Sequence, residues 1–217
     1  MITEMKEILD IFNEKFELIG QEDRDTVHKE GLWHQTFHCW IITHHDGENY
    51  VLLQKRAACK KTAPSKLDIS AAGHLLAGET KLDGIREVQE ELGIIPQTSK
   101  MIDLGIRISS SGVPGVNCNR EYCNVVLLED NTPLIDHNLQ EDEVSALIEV
   151  KVSDGLRLLS DEVDHIFGNA LVEENKKKRL TQMRIVKEDF IYRIDPYYLK
   201  IFIMADRYFK GEKYLAI

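Results

Sequence analysis

The sequence predicts an α/β protein, and three stretches carry that prediction. Phe37 to Ile42 (FHCWII) and Tyr50 to Gln54 (YVLLQ) are apolar runs rich in β-branched and aromatic residues, and the intervening HHDGEN places Asp46-Gly47 where a hairpin turns. Gly73 to Ile94, GHLLAGETKLDGIREVQEELGI, ends in a helical run bounded by glycines. The closing segment has Asp195 as an N-cap, Pro196 at the first helical position, an apolar stripe through Leu199, Ile201, Phe202 and Met204, and Gly211 as a stop.

Taken in chain order, a helix is expected from Thr3, with Thr3 as N-cap and Met5, Ile8, Leu9 and Phe12 on one face. A polar connector, GQEDRDTVHKEG, leads to the hairpin. Further strands are expected at LDIS, IDLGIRIS, EYCNVVLLE and LIEVKV, and EENKKKR reads as a solvated turn. With 217 residues and no internal repeat, one core is the default. The expected organisation is a single domain over 1–217: a core at about 33–160, an N-terminal extension at 1–32 and a C-terminal helical region at 161–217.

A formal net charge of −10 argues against an extended nucleic-acid contact, because phosphate backbones are held by Lys and Arg. An anionic substrate then needs a metal ion or a local basic patch. Cys39, Cys59, Cys118 and Cys123 lack a paired metal spacing, so reduced thiols in a cytoplasm are expected. MITEMKEILDIF has no basic start followed by an uninterrupted apolar run, and no stretch reaches the ~20 apolar residues of a membrane span. The oligomeric state stays open, with a homodimer among the options.

The chemistry concentrates at Glu87, Glu90 and Glu91. At about 100° per residue the three carboxylates share an arc of roughly 100°, while Leu82, Ile85, Val88 and Leu92 fall on another. Like charges four apart on a helix repel, so Glu87 and Glu91 lose a few tenths of a kcal/mol unless a cation sits between them. Hard cations such as Mg²⁺ prefer carboxylate oxygens and bridge to substrate phosphates. A plain solvated acidic face is the competing interpretation.

The spacing of Gly73, Glu79, Arg86, Glu87, Glu90, Glu91 and Gly93 resembles the Nudix box, G-x5-E-x7-R-E-U-x-E-E-x-G-U with U a bulky aliphatic. REVQEELGI meets its second half in full, but six residues, TKLDGI, separate Glu79 from Arg86 where the family has seven. This leaves the position of Glu79 relative to Arg86 open. The resemblance implies a Nudix-type α/β/α sandwich with a mixed sheet and N- and C-terminal helical extensions. It also implies attack of water on the diphosphate linkage of a nucleoside diphosphate-like small molecule, with Mg²⁺ or Mn²⁺ on Glu87, Glu90 and Glu91. Arg86 is implied as support, and Glu90 or Glu91 as the carboxylate that accepts the water's proton. Lys55 and Arg56, in the basic run QKRAACKKTAPSK, are expected to contact phosphate; Gly73 and His74 are expected beside the substrate.

A wider resemblance, through GLWHQTFHCWII, LLQKR, LDISAAGH and the C-terminal DPYYLKIFIMADRYFKGEKYLAI, points to the Nudix branch related to type I isopentenyl diphosphate isomerase. That isomerase carries a catalytic Cys where Ala72 stands here, and a pair of glutamates where Asn119 and Glu121 stand, so double-bond isomerisation is not the leading reading. Isomerase-like chemistry and a non-catalytic nucleotide-sensing module are the rivals to hydrolysis. His34 and His38, about 13 Å apart on an extended strand, cannot share one ion directly. Either is suited to a hydrogen bond with substrate or a core carbonyl. Glu143 lies where many Nudix enzymes place a further loop glutamate.

Overall fold

The computed structural model describes residues 6–113 and 115–217. Among them, eleven strands join one mixed sheet: β1 (Ile8–Phe12), β2 (Leu18–Asp23), β3 (Trp33–His45), β4 (Glu48–Arg56), β5 (Leu67–Asp68), β6 (Ala71–His74), β7 (Met101–Val113), β8 (Asn117–Glu129), β9 (Val144–Lys151), β10 (Ile166–Glu174) and β11 (Lys177–Ile185). Four helices accompany them: α1 (Arg24–Glu30), α2 (Arg86–Leu92), α3 (Val152–Leu159) and α4 (Tyr197–Phe209).

β3 is the hub because its thirteen residues are apolar enough to be covered on both faces. Its end pairs with β4 across the Asp46-Gly47 turn, its beginning with β1, its middle with β6, and its length with β8 in parallel. Alternation then sorts the core into two layers. Phe37, Cys39 and Ile41 pack with Val88 and Leu92 of α2, while Trp40 and Ile42 pack with Tyr197, Ile201 and Phe202 of α4. Burying side chains of this size contributes about 1.5–3 kcal/mol each, so α2, only seven residues long, is held by Val88 and Leu92 rather than by its own propensity.

Four sequence expectations are corrected. Thr3 and Met5 lie outside the described residues, but Ile8–Phe12 is a strand, not a helix, paired with both β2 and β3. The connector GQEDRDTVHKEG supplies most of β2 and the whole of α1, capped by Asp23, whose carboxylate accepts from the Thr26 amide. The C-terminal region is not only helical: β10 and β11 form an antiparallel hairpin that joins the sheet through β9, with EENKKKR at its turn. Finally, α4 starts at Tyr197 with Pro196 at its cap, and Asp195 accepts hydrogen bonds from Arg107 instead of the helix amides. A guanidinium outcompetes neutral N–H groups for a carboxylate.

Candidate active site

α2 positions the carboxylates. It follows a 3₁₀ turn at Asp83–Ile85 and ends at Gly93, whose φ of 68° is left-handed and whose amide bonds the Gln89 carbonyl. Leu82 falls before the helix and is 57% exposed, so the apolar face expected to include it begins at Ile85.

Arg86 is the organiser. Its Nε and Nη2 donate to the two oxygens of Glu79 at 3.0 and 3.2 Å, and its Nη1 donates to Glu87 at 2.6 Å and to Glu90 at 3.3 Å. Nη2 also donates to the His74 carbonyl at 2.9 Å, tying the helix to β6. Thus Glu79 meets Arg86 although the link between them is one residue short. The six residues are taken up by the turn that Asp83 closes on the Thr80 amide and hydroxyl, followed by the 3₁₀ turn. The Arg86 fork holds the Glu79 carboxyl below its ordinary range against the opposing effect of burial.

Glu87 and Glu91 sit deeper. A Cβ on Gly73 would lie 2.1 Å from the Glu87 carboxyl carbon, so only glycine lets that side chain cross β6 so closely. Glu91 is 5% exposed, accepts from the Ala72 amide at 3.2 Å and from Gln54 Nε2 at 3.4 Å. Burial raises the carboxyl pKa of both, and the charge of Glu87 raises that of Glu91 further. Glu90, with a side chain 55% exposed, completes the shelf at its wet edge. One buried and one partly buried carboxyl with raised pKa values, a third at the rim and a glycine floor fit a hard divalent cation, which would stabilise the ionised forms that burial disfavours. Acidic oxygens alone suit Mg²⁺ or Mn²⁺ over softer metals.

The basic run is mostly engaged. Arg56 donates from Nε and Nη2 to the Thr62 carbonyl and lies 3.8 Å from Asp68, Lys60 pairs with Glu143, and Lys66 reaches the Glu188 carbonyl. Lys55 and Lys61 make no side-chain hydrogen bond or ion pair among the described residues, and Lys55 is the less exposed of the two. The Lys60–Glu143 pair stands near enough to influence the Glu91 carboxyl.

An imidazole cluster was not legible in the sequence. His28 of α1, His34 of β3 and His74 of β6 bring ring nitrogens within 4.8 Å of one another. His28 and His34 direct Nδ1 to the Arg24 and Leu32 carbonyls at 2.8 and 3.0 Å, so their Nε2 atoms carry the lone pairs. Burial holds His34 neutral, its pKa lowered to about 4, and lowers His74 likewise. Convergent imidazole nitrogens of this kind suit borderline cations. His38 lies apart, its Nδ1 2.9 Å from the Tyr197 hydroxyl. His28 was missed because α1 sits inside what reads as a polar connector.

The NUDIX domain family model matches residues 32–167. An uncharacterised Nudix hydrolase of Clostridium acetobutylicum is 36% identical over 201 residues, covering 92% of this chain and 97% of that relative. Nudix hydrolase 3 of Arabidopsis thaliana is 32% identical over 162 residues, 72% of this chain but 21% of the longer plant protein. A crystal structure from Deinococcus radiodurans superposes with a TM-score of 0.53 at 19% identity, over 71% of this chain and 90% of that one, and shares the fold. The chain belongs to the Nudix family and is an enzyme of its hydrolase class, a pyrophosphohydrolase. Among the described residues no helix is long and apolar enough to cross a membrane.

Proposed function

We propose that the protein hydrolyses the diphosphate linkage of a nucleoside diphosphate-like small molecule, with Mg²⁺ or Mn²⁺ held by Glu87, Glu90 and Glu91. The observation that carries this reading is the gathering of three box carboxylates, Glu79, Glu87 and Glu90, around Arg86, with Glu91 buried behind them. A divalent ion on this shelf supplies neutralisation of phosphate charge and a water of lowered pKa. Arg86 is a positioning residue: its fork fixes Glu79 and its Nη1 steers Glu87 and Glu90. Glu91, whose carboxyl burial makes more basic, suits the role of proton acceptor from water. Lys55 binds substrate phosphate and His74 borders it, while the room Gly73 leaves is taken by the Glu87 carboxyl, so Gly73 serves the substrate by seating that carboxylate. Glu143 stays in its pair with Lys60 and enters only as a further loop acid. Four free thiols fit a reducing compartment, the cytoplasm.

The resemblance to the isomerase branch meets two obstacles in this chain. Ala72 and Asn119 stand where the isomerase-like pattern has proton-handling Cys and Glu, so double-bond migration lacks two of its groups. The sensing-module reading expects binding without turnover. An assay of phosphate release over nucleotide, sugar-nucleotide and prenyl diphosphates, with Mg²⁺ and with excess chelator, separates the readings. Hydrolysis that stops with chelator is expected. Turnover that persists in chelator, or dimethylallyl diphosphate formed from isopentenyl diphosphate, contradicts the proposal.

A further inference from the structure

β7 has a strand neighbour on one side only. Among the described residues it pairs with β8 along its whole length and with no other strand, so every second residue turns its amide and carbonyl away from the sheet. Near its start the Leu104 carbonyl accepts from the Ile217 amide at 2.9 Å, and the Gly105 amide bonds the Asp103 carboxylate. Over residues 106–112 no further hydrogen bond reaches this edge among the described residues.

Proteins guard open edges with exposed charge, and this one lacks it. β11, the other long strand with a single neighbour among the described residues, carries Lys177, Lys178, Arg179 and Arg184. Residues 106–112 of β7 read IRISSSG, and their one charge, Arg107, turns inward to Asp195 with a side chain 8% exposed. Asp103, ahead of that stretch, pairs with Lys81. The outward face shows Ile106 and Ile108, 45% and 66% exposed. Ile108 stands opposite Tyr122, whose ring lies 4.6 Å from that of the partly exposed Phe16, so the apolar surface continues onto the β1–β2 turn. We propose that β7 is the seam of a homodimer, in which two copies pair edge to edge, antiparallel, about a two-fold axis at Ile108.

Charge selects a second copy as the occupant. With a formal net charge of −10, most surfaces of this chain repel an identical one. A two-fold seam brings one stretch against itself, so it needs a stretch without exposed charge, and residues 106–112 supply it. A basic or acidic peptide finds no exposed countercharge there. The register follows from Arg107. With Ile108 facing its own copy, Arg107 falls across from Ser109 and Ile106 across from Ser110, whereas an axis at Arg107 sets two guanidiniums opposite each other, a destabilising pair. The two Ile108 side chains then form a cross-strand apolar pair, and each Ile106 joins it on the diagonal.

Sedimentation equilibrium of the full chain at about 1–100 μM tests this. The parent is expected to dimerise within that range. Ile108→Lys and Ile106→Lys, which bring like charges together across the seam, should each raise the dimer Kd at least ~10-fold. Leu180→Lys, at an exposed position of β11, should leave it unchanged. Both isoleucines lie outside the core, circular dichroism checks that each variant folds, and a single folded seam variant suffices. A parent that stays monomeric throughout, which would leave the edge to a different chain, overturns the assignment. So does a folded Ile108→Lys or Ile106→Lys that dimerises like the parent, or a dimer lost equally in Leu180→Lys.

Discussion

On one side of β6 the carboxylates of Glu87 and Glu91 share a site of low exposure, where Arg86 pairs with Glu87 and Glu91 has no ion pair among the described residues. On the other side, His34, Thr36 and Asn119 carry polar atoms that face no partner among the described residues. The first region is rich in charge and short of countercharge; the second holds buried polar atoms short of hydrogen bonds. The difference teaches how one strand can present two recognition chemistries. A shelf of like charges calls for a cation, whereas buried donors and acceptors call for hydrogen-bond partners.

The largest effect that would break this comparison is at Gly73. Gly73→Ala places a Cβ on the Glu87 carboxyl, so kcat should fall ~100-fold or more, as misplacements near 1 Å do. Activity within a few-fold of the parent would mean that Glu87 is not needed where it stands. Next comes Lys55→Gln, which should raise KM several-fold with kcat little changed, the signature of lost uniform binding. Arg56→Gln should instead lower the melting temperature, because its guanidinium holds the Thr62 carbonyl. Equal kinetic behaviour of the two variants would return Arg56 to the phosphate-binding role the sequence assigned it.

A smaller effect concerns pH in metal-free protein. Burial holds the Glu91 carboxyl protonated to higher pH when folded than when unfolded, so the folded state binds more protons. Stability should then decline as pH rises from about 4.3, the unfolded carboxylate value, through the raised folded value, and level off above it. Urea titrations across that window should show the decline in the parent and a weaker one in Glu91→Gln. The same slope in both would remove Glu91 as its cause.

Legibility followed sequence distance. The shelf could be read because Arg86, Glu87, Glu90 and Glu91 sit within one and a half turns of a helix, and the local spacing fixes their arc. Glu79 could not be positioned, since its link to Arg86 is a turn whose geometry depends on the Thr80–Asp83 hydrogen bonds. The polar residues under α4 come from far apart in the chain: Arg107 and Asp195 are separated by 88 positions, and no local period reports such a meeting. β1 misled because Leu9 and Phe12, three apart, are both buried, a helical spacing made possible in a strand by the register shift between Ile11 and Phe12. β10 was missed because its inward positions include Gly168 and Ala170, too small to mark an apolar alternation.

The most direct test of the shelf as a metal site is a set of thermal melts, with and without millimolar Mg²⁺, on the parent, Glu91→Gln and Asp83→Asn. Asp83 closes the turn before α2 but touches none of the three helical carboxylates. An ion that binds only the folded state stabilises by RT ln(1 + [L]/Kd), so the parent and Asp83→Asn should gain the same shift with Mg²⁺. Glu91→Gln should lose most of that shift, melt at or above the parent without metal, and fall ~100-fold or more in turnover. Identical Mg²⁺ shifts in all three proteins would contradict the account and leave the acidic cluster a wet helical face.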